Sequence, residues 1–177
     1  VLGPCINASG RLDTAARSLA LLNAKTKEEA ARLAGDLTAL NQSRKALTEK
    51  GKEEAIRIIE TTELKNDRVL VVYLPDCHES LAGIIAGRIR EKYHRPAFVL
   101  TGGETSAKGS GRSIESYSMY EELVKCADLM IQFGGHPMAA GLSIEEKNIE
   151  EFRRRLNVNC TLTDAGLRPK IVIDVPM

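Results

Sequence analysis

The sequence predicts an α/β protein: a mixed, largely parallel small sheet with helices on both faces, preceded by a long helical linker. Residues 27–61 contain no proline and carry leucines at helical spacing, which predicts the linker. Two apolar stretches of strand length, residues 69–74 and 97–101, flank an amphipathic segment. Such a strand–helix–strand unit joins parallel strands through a right-handed crossover, so we expect a parallel pair in the sheet.

The first third of the chain is predicted to be helical. Asp13 is suited to cap a short helix over residues 14–22, and Thr26 with Glu29 forms a capping box for a longer one. A continuous helix over residues 27–61 would be about 50 Å long at about 1.5 Å per residue. It fits a spacer between two catalytic halves and a helix packed along its own domain equally well.

Apolar stretches and capping residues predict the remaining elements. Residues 69–74 predict a central strand, because a nearly continuous apolar stretch is typical of a strand covered on both faces. A helix over residues 80–93 and strands over 97–101 and 106–112 follow. Then come a helix opened by Ser118 and Glu121, a glycine–histidine loop entered by residues 129–133, and a last helix opened by Ser143 and Glu146 that ends near Leu156.

Composition sets modest bounds on function. The 177 residues are 43% hydrophobic, enough for the core of one domain with an appended helical segment. Lys and Arg number 25 against 24 Asp and Glu, so attraction to nucleic acid would have to come from local clusters. Four scattered cysteines without a Cys-x-x-Cys pair argue against zinc and a disulfide scaffold. Without an apolar run of about 20 residues, we expect no membrane span and a cytoplasmic protein.

Both ends of the chain suggest a piece of a longer protein. The first residue is Val1 instead of an initiator methionine, and the alternating run over residues 170–175 predicts a strand that is just beginning. We therefore expect a further segment or domain to start within residues 161–177.

A lone histidine between glycines is the most informative motif, over residues 133–141. Gly134 and Gly135 allow the backbone to approach a ligand closely, and the imidazole of His136 can donate a hydrogen bond to an oxyanion. This combination suits a phosphate. Taken alone, the motif fits a tight turn with a structural histidine better.

Two further groups of residues are candidates for binding. Ser110 and Arg112 are two positions apart in a predicted strand and so lie on the same side of it. A hydroxyl beside a planar guanidinium matches a terminal phosphate, although a surface strand would carry the same residues. His78 follows the first predicted strand, at the carboxyl end where open α/β sheets bind ligands, and it is equally suited to cap the next helix.

Four motifs in order over nearly the whole chain resemble the RecJ-type single-stranded-DNA exonucleases of the DHH phosphoesterase superfamily. They span residues 3–11, 77–86, 109–113 and 133–141. The resemblance is to the second, DHH-associated domain and the linker before it; the Asp-His-His motif and metal-binding aspartates of the first domain have no counterpart in this sequence. It implies a helical linker over residues 1–66, a substrate-binding α/β domain over 67–160 and a truncated following segment.

The resemblance also implies roles for the candidate residues. Ser110 and Arg112 would hold the phosphate at the strand end, and the amides of Gly134 and Gly135 would contact a phosphate together with His136. His136 would be catalytic, as a phosphate contact that stabilises the transition state.

Arg11 follows a predicted turn over Asn7–Gly10. The resemblance implies that it faces the substrate cleft from the linker, whereas a surface arginine is the alternative. Asn7 is expected to hold the turn.

The resemblance implies the substrate-binding half of a metal-dependent 5′-to-3′ exonuclease that hydrolyses single-stranded DNA in repair and recombination. Mn²⁺ or Mg²⁺ would be bound by the missing domain and none by this chain. Partners would be single-stranded DNA with a 5′ end and repair proteins such as a helicase or a single-strand-binding protein. The alternatives are a nanoRNA or cyclic-dinucleotide phosphodiesterase of the same superfamily, a non-catalytic nucleic-acid-binding module and a structural scaffold.

Overall fold

A computed structural model describes residues 2–170 and residue 175. The chain divides into two compact units, residues 1–53 and 54–177. The strand predicted over residues 170–175 falls largely on positions outside the described residues.

The first unit begins with helix α1, Leu2–Leu12, where the sequence predicts a turn over Asn7–Gly10. That prediction is wrong, and with it the role of Asn7 in holding a turn. Pro4 is tolerated because the N–H groups of a helix's first turn have no acceptor within the helix, so proline removes no hydrogen bond there. The hydroxyls of Ser9 and Ser18 are buried and 2.7 Å apart, which ties α1 to the next helix and outweighs the weak helix propensity of its glycines.

Helix α2 covers Ala16–Leu22. Asp13 does not cap it: the N-cap residue is Ala15, which makes no side-chain capping bond. The hydroxyl of Thr14 accepts a hydrogen bond from the Ala16 N–H at 3.2 Å instead. Asp13 pairs with Arg17 at 2.7 Å, so its carboxylate supports the helix through an ion pair.

Helix α3 is the predicted long helix, Lys27–Thr61, and it runs without a break over 35 residues. The Thr26 hydroxyl accepts from the Glu29 N–H at 3.1 Å, as the capping box predicts. The Glu29 carboxylate accepts from the Lys25 N–H at 3.1 Å. Within the second unit, the end of α3 packs its buried Ile59 inward, while Glu60 accepts a hydrogen bond from the Tyr93 hydroxyl at 2.6 Å.

The second unit contains a five-stranded sheet in the order β1-β2-β3-β5-β4. Its strands are β1 Leu70–Leu74, β2 Ala97–Thr101, β3 Ala107–Arg112, β4 Met130–His136 and β5 Ala139–Ile144. Strands β1 and β2 are parallel, and the other pairings in the described sheet are antiparallel. The α/β class is therefore confirmed, but the expectation of a largely parallel sheet is wrong, because short turns connect β2 to β3 and β4 to β5.

The apolar sequence of strand β1 predicts a central strand, and this prediction is wrong. Among the described residues it pairs only with β2 and lies at one end of the sheet. It is nonetheless buried, and Asn157 secures its start. The Asn157 amide oxygen accepts from the N–H groups of Arg68 at 2.9 Å and Val69 at 3.0 Å, and its amide nitrogen donates to the Val69 carbonyl at 3.0 Å.

Helices lie on both faces of the sheet, as predicted. Helix α4, Glu79–Tyr93, covers one face with the buried residues Leu81, Ala82, Ile85, Ala86 and Ile89. Helices α5, Met119–Val124, and α6, Ile149–Val158, cover the other. There the rings of Phe98 and Phe152 meet edge to face at 5.4 Å.

Two capping predictions had different outcomes. Ser118 caps α5, accepting from the Glu121 N–H at 3.5 Å, so that prediction is confirmed. Ser143 does not open the last helix, because it belongs to β5. A short 3₁₀ turn over Glu146–Asn148 intervenes before α6 begins. Two further 3₁₀ turns cover Glu63–Asn66 and Ala127–Leu129.

Candidate functional site

Three rows of residues cross strands β3, β5 and β4 on the sheet face that carries α4. Residues paired across strands point to the same face, and so do residues two apart along one strand. The rows are Arg112, Ala139 and His136; Ser110, Gly141 and Gly134; and Lys108, Ser143 and Gln132. We call these nine positions the polar rows. The fold thus brings Ser110, Arg112, Gly134 and His136, all predicted site residues, onto one surface.

The middle strand of the polar rows carries small residues. A β-carbon added at Gly141 would meet only the Gly109 carbonyl oxygen, at 3.7 Å, so the floor of the site is backbone. Neighbouring strands lie about 4.8 Å apart, which separates the backbones of Arg112 and His136 by roughly 10 Å. A cleft of about 490 Å³ opens over the second and third of these rows, lined among others by Ser80, Lys108, Ser110, Gln132 and Ser143, and the row of Arg112 and His136 lies beside it.

Ser110 and Arg112 converge on helix α4. A β-carbon added at Gly83 would lie 2.6 Å from Arg112 Nη2 and 3.3 Å from the Ser110 hydroxyl oxygen. Arg112 Nη1 also donates to the carbonyl of Gly111 at 2.7 Å. The guanidinium and the hydroxyl therefore occupy the space that the missing side chain of Gly83 leaves, near the N-terminal end of α4, where the helix dipole favours an anion.

His136 is the last residue of β4 and is exposed. Its Nδ1 accepts a hydrogen bond from the Met138 N–H at 3.3 Å. In the neutral ring the proton then lies on Nε2, which can donate to a ligand. The hairpin turn that holds the ring is anchored on both sides: Ser113 N–H donates to the Met138 carbonyl at 2.9 Å, and Met119 N–H donates to the Pro137 carbonyl at 3.0 Å.

Gly134 and Gly135 do not form the flexible loop that the sequence predicts. They belong to β4 and pair with Gly141 and Ala140, while Pro137 and Met138 make the turn. Because successive amides of a strand point in opposite directions, the two glycine amides cannot both face one phosphate.

The two glycines serve different purposes. A β-carbon at Gly135, where φ is +151°, would stand 2.6 Å from Ala140 Cα, so this position needs glycine for close strand approach. Gly134 has open space around it and leaves the floor of the cleft clear.

His78 caps helix α4. Its Nδ1 accepts from the Ser80 N–H at 3.3 Å and lies 2.8 Å from the Ser80 hydroxyl oxygen. The capping alternative is therefore confirmed, and its neighbours Glu79 and Ser80 line the cleft. A contact of His78 with substrate stays a prediction.

Arg11 lies in the last turn of α1, in the first unit, and not after a turn. Its role toward substrate stays a prediction.

Lys108 and Gly83 are not among the site residues that the sequence predicts. Lys108 donates to the buried Ser143 hydroxyl at 2.9 Å, which fixes its ammonium group at the edge of the cleft. Its alternation with Ser110 and Arg112 could have identified it. Nothing local marks Gly83, because its partners come from a strand distant in sequence.

The described residues do not offer a metal site: among them no group of three or more His, Cys, Asp or Glu side chains is arranged to hold an ion. A resident divalent cation thus does not fit this part of the chain. The four cysteines are free thiols, and burial raises the pKa of Cys77 and Cys126. Across residues 2–170, no helix is both long and apolar enough to cross a membrane.

The chain is similar to a known domain family and to named exonucleases. Residues 66–160 match the family described as DHHA1 domain. The single-stranded-DNA-specific exonuclease RecJ of Salmonella typhimurium is 40% identical over 99% of this chain and 32% of its own length. The Bacillus subtilis protein of the same name is 35% identical over 98% of this chain and 22% of its own length. The chain spans about a third or less of these relatives.

Solved structures of RecJ proteins share the fold of this chain. RecJ from Thermus thermophilus in complex with Mg²⁺ superimposes with a TM-score of 0.80 at 32% identity, covering 89% of this chain and 24% of that one. Exonuclease RecJ bound to manganese gives a TM-score of 0.76 at 33% identity, over 88% of this chain and 38% of that one.

Proposed function

Because the chain belongs to the DHHA1 domain family, we propose that it is the substrate-binding half of a metal-dependent exonuclease acting on single-stranded DNA. Its relatives in Salmonella typhimurium and Bacillus subtilis are named as single-stranded-DNA-specific exonucleases, which supports this activity. The observation that carries the proposal is the convergence of Ser110 and Arg112 on Gly83, across a floor of small residues from His136.

The polar rows suit a terminal phosphate. Arg112 supplies charge-assisted hydrogen bonds, and the Ser110 hydroxyl supplies another donor on the same side. The Nε2–H group of His136 would donate from β4, at the opposite edge of the polar rows. Lys108, held by Ser143, adds a positive charge farther along the same face. Together these groups would offer donors to an anion from β3 and from β4, and the small residues between them would leave it room.

A divalent cation would come from elsewhere in the whole protein. Similar structures hold Mg²⁺ or Mn²⁺. Such ions activate water and neutralise the scissile phosphate when bound. Within this chain, the residues of the polar rows would orient the strand end, and His136 would donate a hydrogen bond to a phosphate oxygen.

The finer parts of the proposal follow from the family. They are 5′-to-3′ direction, a role in DNA repair and recombination, a cytoplasmic location, and partners such as a helicase or a single-strand-binding protein. The proposed organisation is a linker over residues 1–66, a binding domain over 67–160 and a following segment over 161–177.

Competition binding tests the substrate class. A labelled, 5′-phosphorylated single DNA strand is bound to the chain and displaced by unlabelled single-stranded DNA, duplex DNA or a short RNA. We expect single-stranded DNA to compete best. Stronger competition by short RNA would favour the nanoRNA phosphodiesterase alternative, and absence of binding to any 5′-phosphorylated strand would contradict the proposal.

A further inference from the structure

A second cleft, of about 220 Å³, lies in the same unit beyond the hairpin turn between β4 and β5. Basic side chains dominate its lining, which includes Arg90, His94, Glu115, Ser116, Arg168 and Lys170. Three of these are permanent cations at neutral pH, against the single carboxylate of Glu115. The C-terminal end of α4 adds about half a negative charge, which is less than this excess. We call this the basic cleft.

The guanidinium group of Arg90 is only partly hydrogen-bonded by the described residues. Its Nε is buried and, among the described residues, has no hydrogen-bond partner. Its Nη2 lies 3.4 Å from the Glu91 carboxylate, at the long end of hydrogen-bonding distance. The Arg90 side chain as a whole is 34% exposed and lines the basic cleft, so an anion there would supply the guanidinium with acceptors that the described residues do not.

His94 is fixed at the edge of the basic cleft by the end of the helix. It adopts a left-handed conformation, with φ of 49°, as the C-cap of α4, and its N–H donates to the Arg90 carbonyl at 2.8 Å. Few non-glycine residues take this conformation. This fixes the backbone of His94, and His94 and Arg90 both belong to the lining of the basic cleft.

The basic cleft adjoins the polar rows through Met138. Met138 lines the cleft, its N–H donates to His136 Nδ1 at 3.3 Å, and its carbonyl accepts from Ser113 at 2.9 Å. Helix α4 connects the same two places, because Gly83 touches Arg112 and Arg90 lies about two turns, or roughly 10 Å, farther along. Met138 and α4 therefore connect the two places within the fold.

We propose that the basic cleft binds an internal phosphate of the same DNA strand whose terminal phosphate lies at Arg112. This inference rests on the proposed function. Arginine, lysine, imidazole and hydroxyl groups all donate hydrogen bonds to phosphate oxygens, and this set recognises the backbone without reading bases. The basic cleft would hold the strand in place while the polar rows hold its end.

The chain has three histidines, so their NMR resonances can be told apart and report separately on the polar rows and the basic cleft. His136 reports on the polar rows, His94 on the basic cleft and His78 on the cap of α4. The probes are a 5′-phosphorylated oligothymidylate of about twelve nucleotides and thymidine 5′-monophosphate. The test variant is Arg90→Gln with Arg168→Gln. The matched control is Arg57→Gln with Arg154→Gln, which removes the same charge from exposed helix surfaces.

In the wild-type chain we expect the oligonucleotide to shift both His136 and His94, and the mononucleotide to shift His136. The test variant should bind the oligonucleotide at least fivefold more weakly than the control, with a salt slope lower by about 0.7 for one lost phosphate contact. It should still bind the mononucleotide. Equal oligonucleotide affinity in test and control variants, with His94 unmoved, overturns the inference alone. Failure of both probes to shift His136 in the wild type overturns the proposed function and this inference with it.

Discussion

The guanidinium group of Arg112 lies against the backbone of Gly83, where a β-carbon would stand 2.6 Å from Nη2 and 3.3 Å from Cζ. Separations below about 3 Å do not occur for real side chains, so any other residue at position 83 must displace the guanidinium. Gly83 therefore sets the position of the strongest phosphate donor in the proposed site, although Gly83 has no side chain to bind the phosphate itself.

Gly83→Ala should weaken binding of 5′-phosphorylated single-stranded DNA about tenfold, the equivalent of losing a charge-assisted bond of about 1.5 kcal/mol. The arginine tip can move, so the fold should persist, and alanine gains helix propensity of up to about 1 kcal/mol over glycine. Fluorescence anisotropy and thermal melting measure both quantities.

Gly87→Ala is the matched control for that variant. Gly87 lies on the same helix, and a β-carbon there meets nothing within 4 Å. It should keep wild-type affinity. If the two variants bind equally well, Gly83 does not position Arg112.

His136→Ala in the full-length protein should lower turnover by about 10²–10³, the usual loss for one donor to a developing oxyanion. The imidazole is exposed and accepts a hydrogen bond from the Met138 N–H in the adjacent turn, so thermal melting should change little. Single-turnover kinetics on a 5′-phosphorylated strand measure the loss. A variant that melts early yet keeps its rate per folded molecule would show a structural histidine.

His78→Ala should destabilise the chain by about 1 kcal/mol, because it removes the cap of α4. Urea denaturation followed by circular dichroism measures the change. Affinity for single-stranded DNA, measured under conditions where the variant is folded, separates the two roles of His78. A large loss of affinity with unchanged stability would assign His78 to substrate binding instead.

Alanine at the two glycines of β4 should give opposite results. Gly135→Ala places a side chain against the Ala139 carbonyl and 2.6 Å from Ala140 Cα in a conformation suited to glycine, so we expect a loss of at least about 2 kcal/mol of stability. Gly134→Ala enters open space and should stay within about 0.5 kcal/mol of wild type. Equal effects in urea denaturation would contradict the strand assignment.

Local patterns predicted much of this fold and part of the site. Alternation along β3 placed Ser110 and Arg112 on one side, and capping chemistry located the starts of α3 and α5 at Thr26 and Ser118. These features depend on neighbours within a few residues, which the sequence displays directly.

The failures have tertiary causes. Gly134 and Gly135 suggested a turn because glycines usually do, whereas here Gly135 allows two strands to approach. Burial of Ser9 against Ser18 made a helix where local propensity predicted a turn. Contact between Gly83 and Arg112 depends on how a helix lies on a sheet, which no local pattern reports.

Binding of paired oligonucleotides tests most directly whether the polar rows hold a strand end. The chain and its Arg112→Ala variant are each titrated with one single-stranded sequence carrying either a 5′-phosphate or a 5′-hydroxyl, at fixed salt, with Arg154→Ala as the charge control. We expect the wild type and control to prefer the phosphate by about tenfold or more, from a contact of about 1.5–3 kcal/mol, and Arg112→Ala to lose that preference. Equal phosphate preference in Arg112→Ala and wild type would contradict the account.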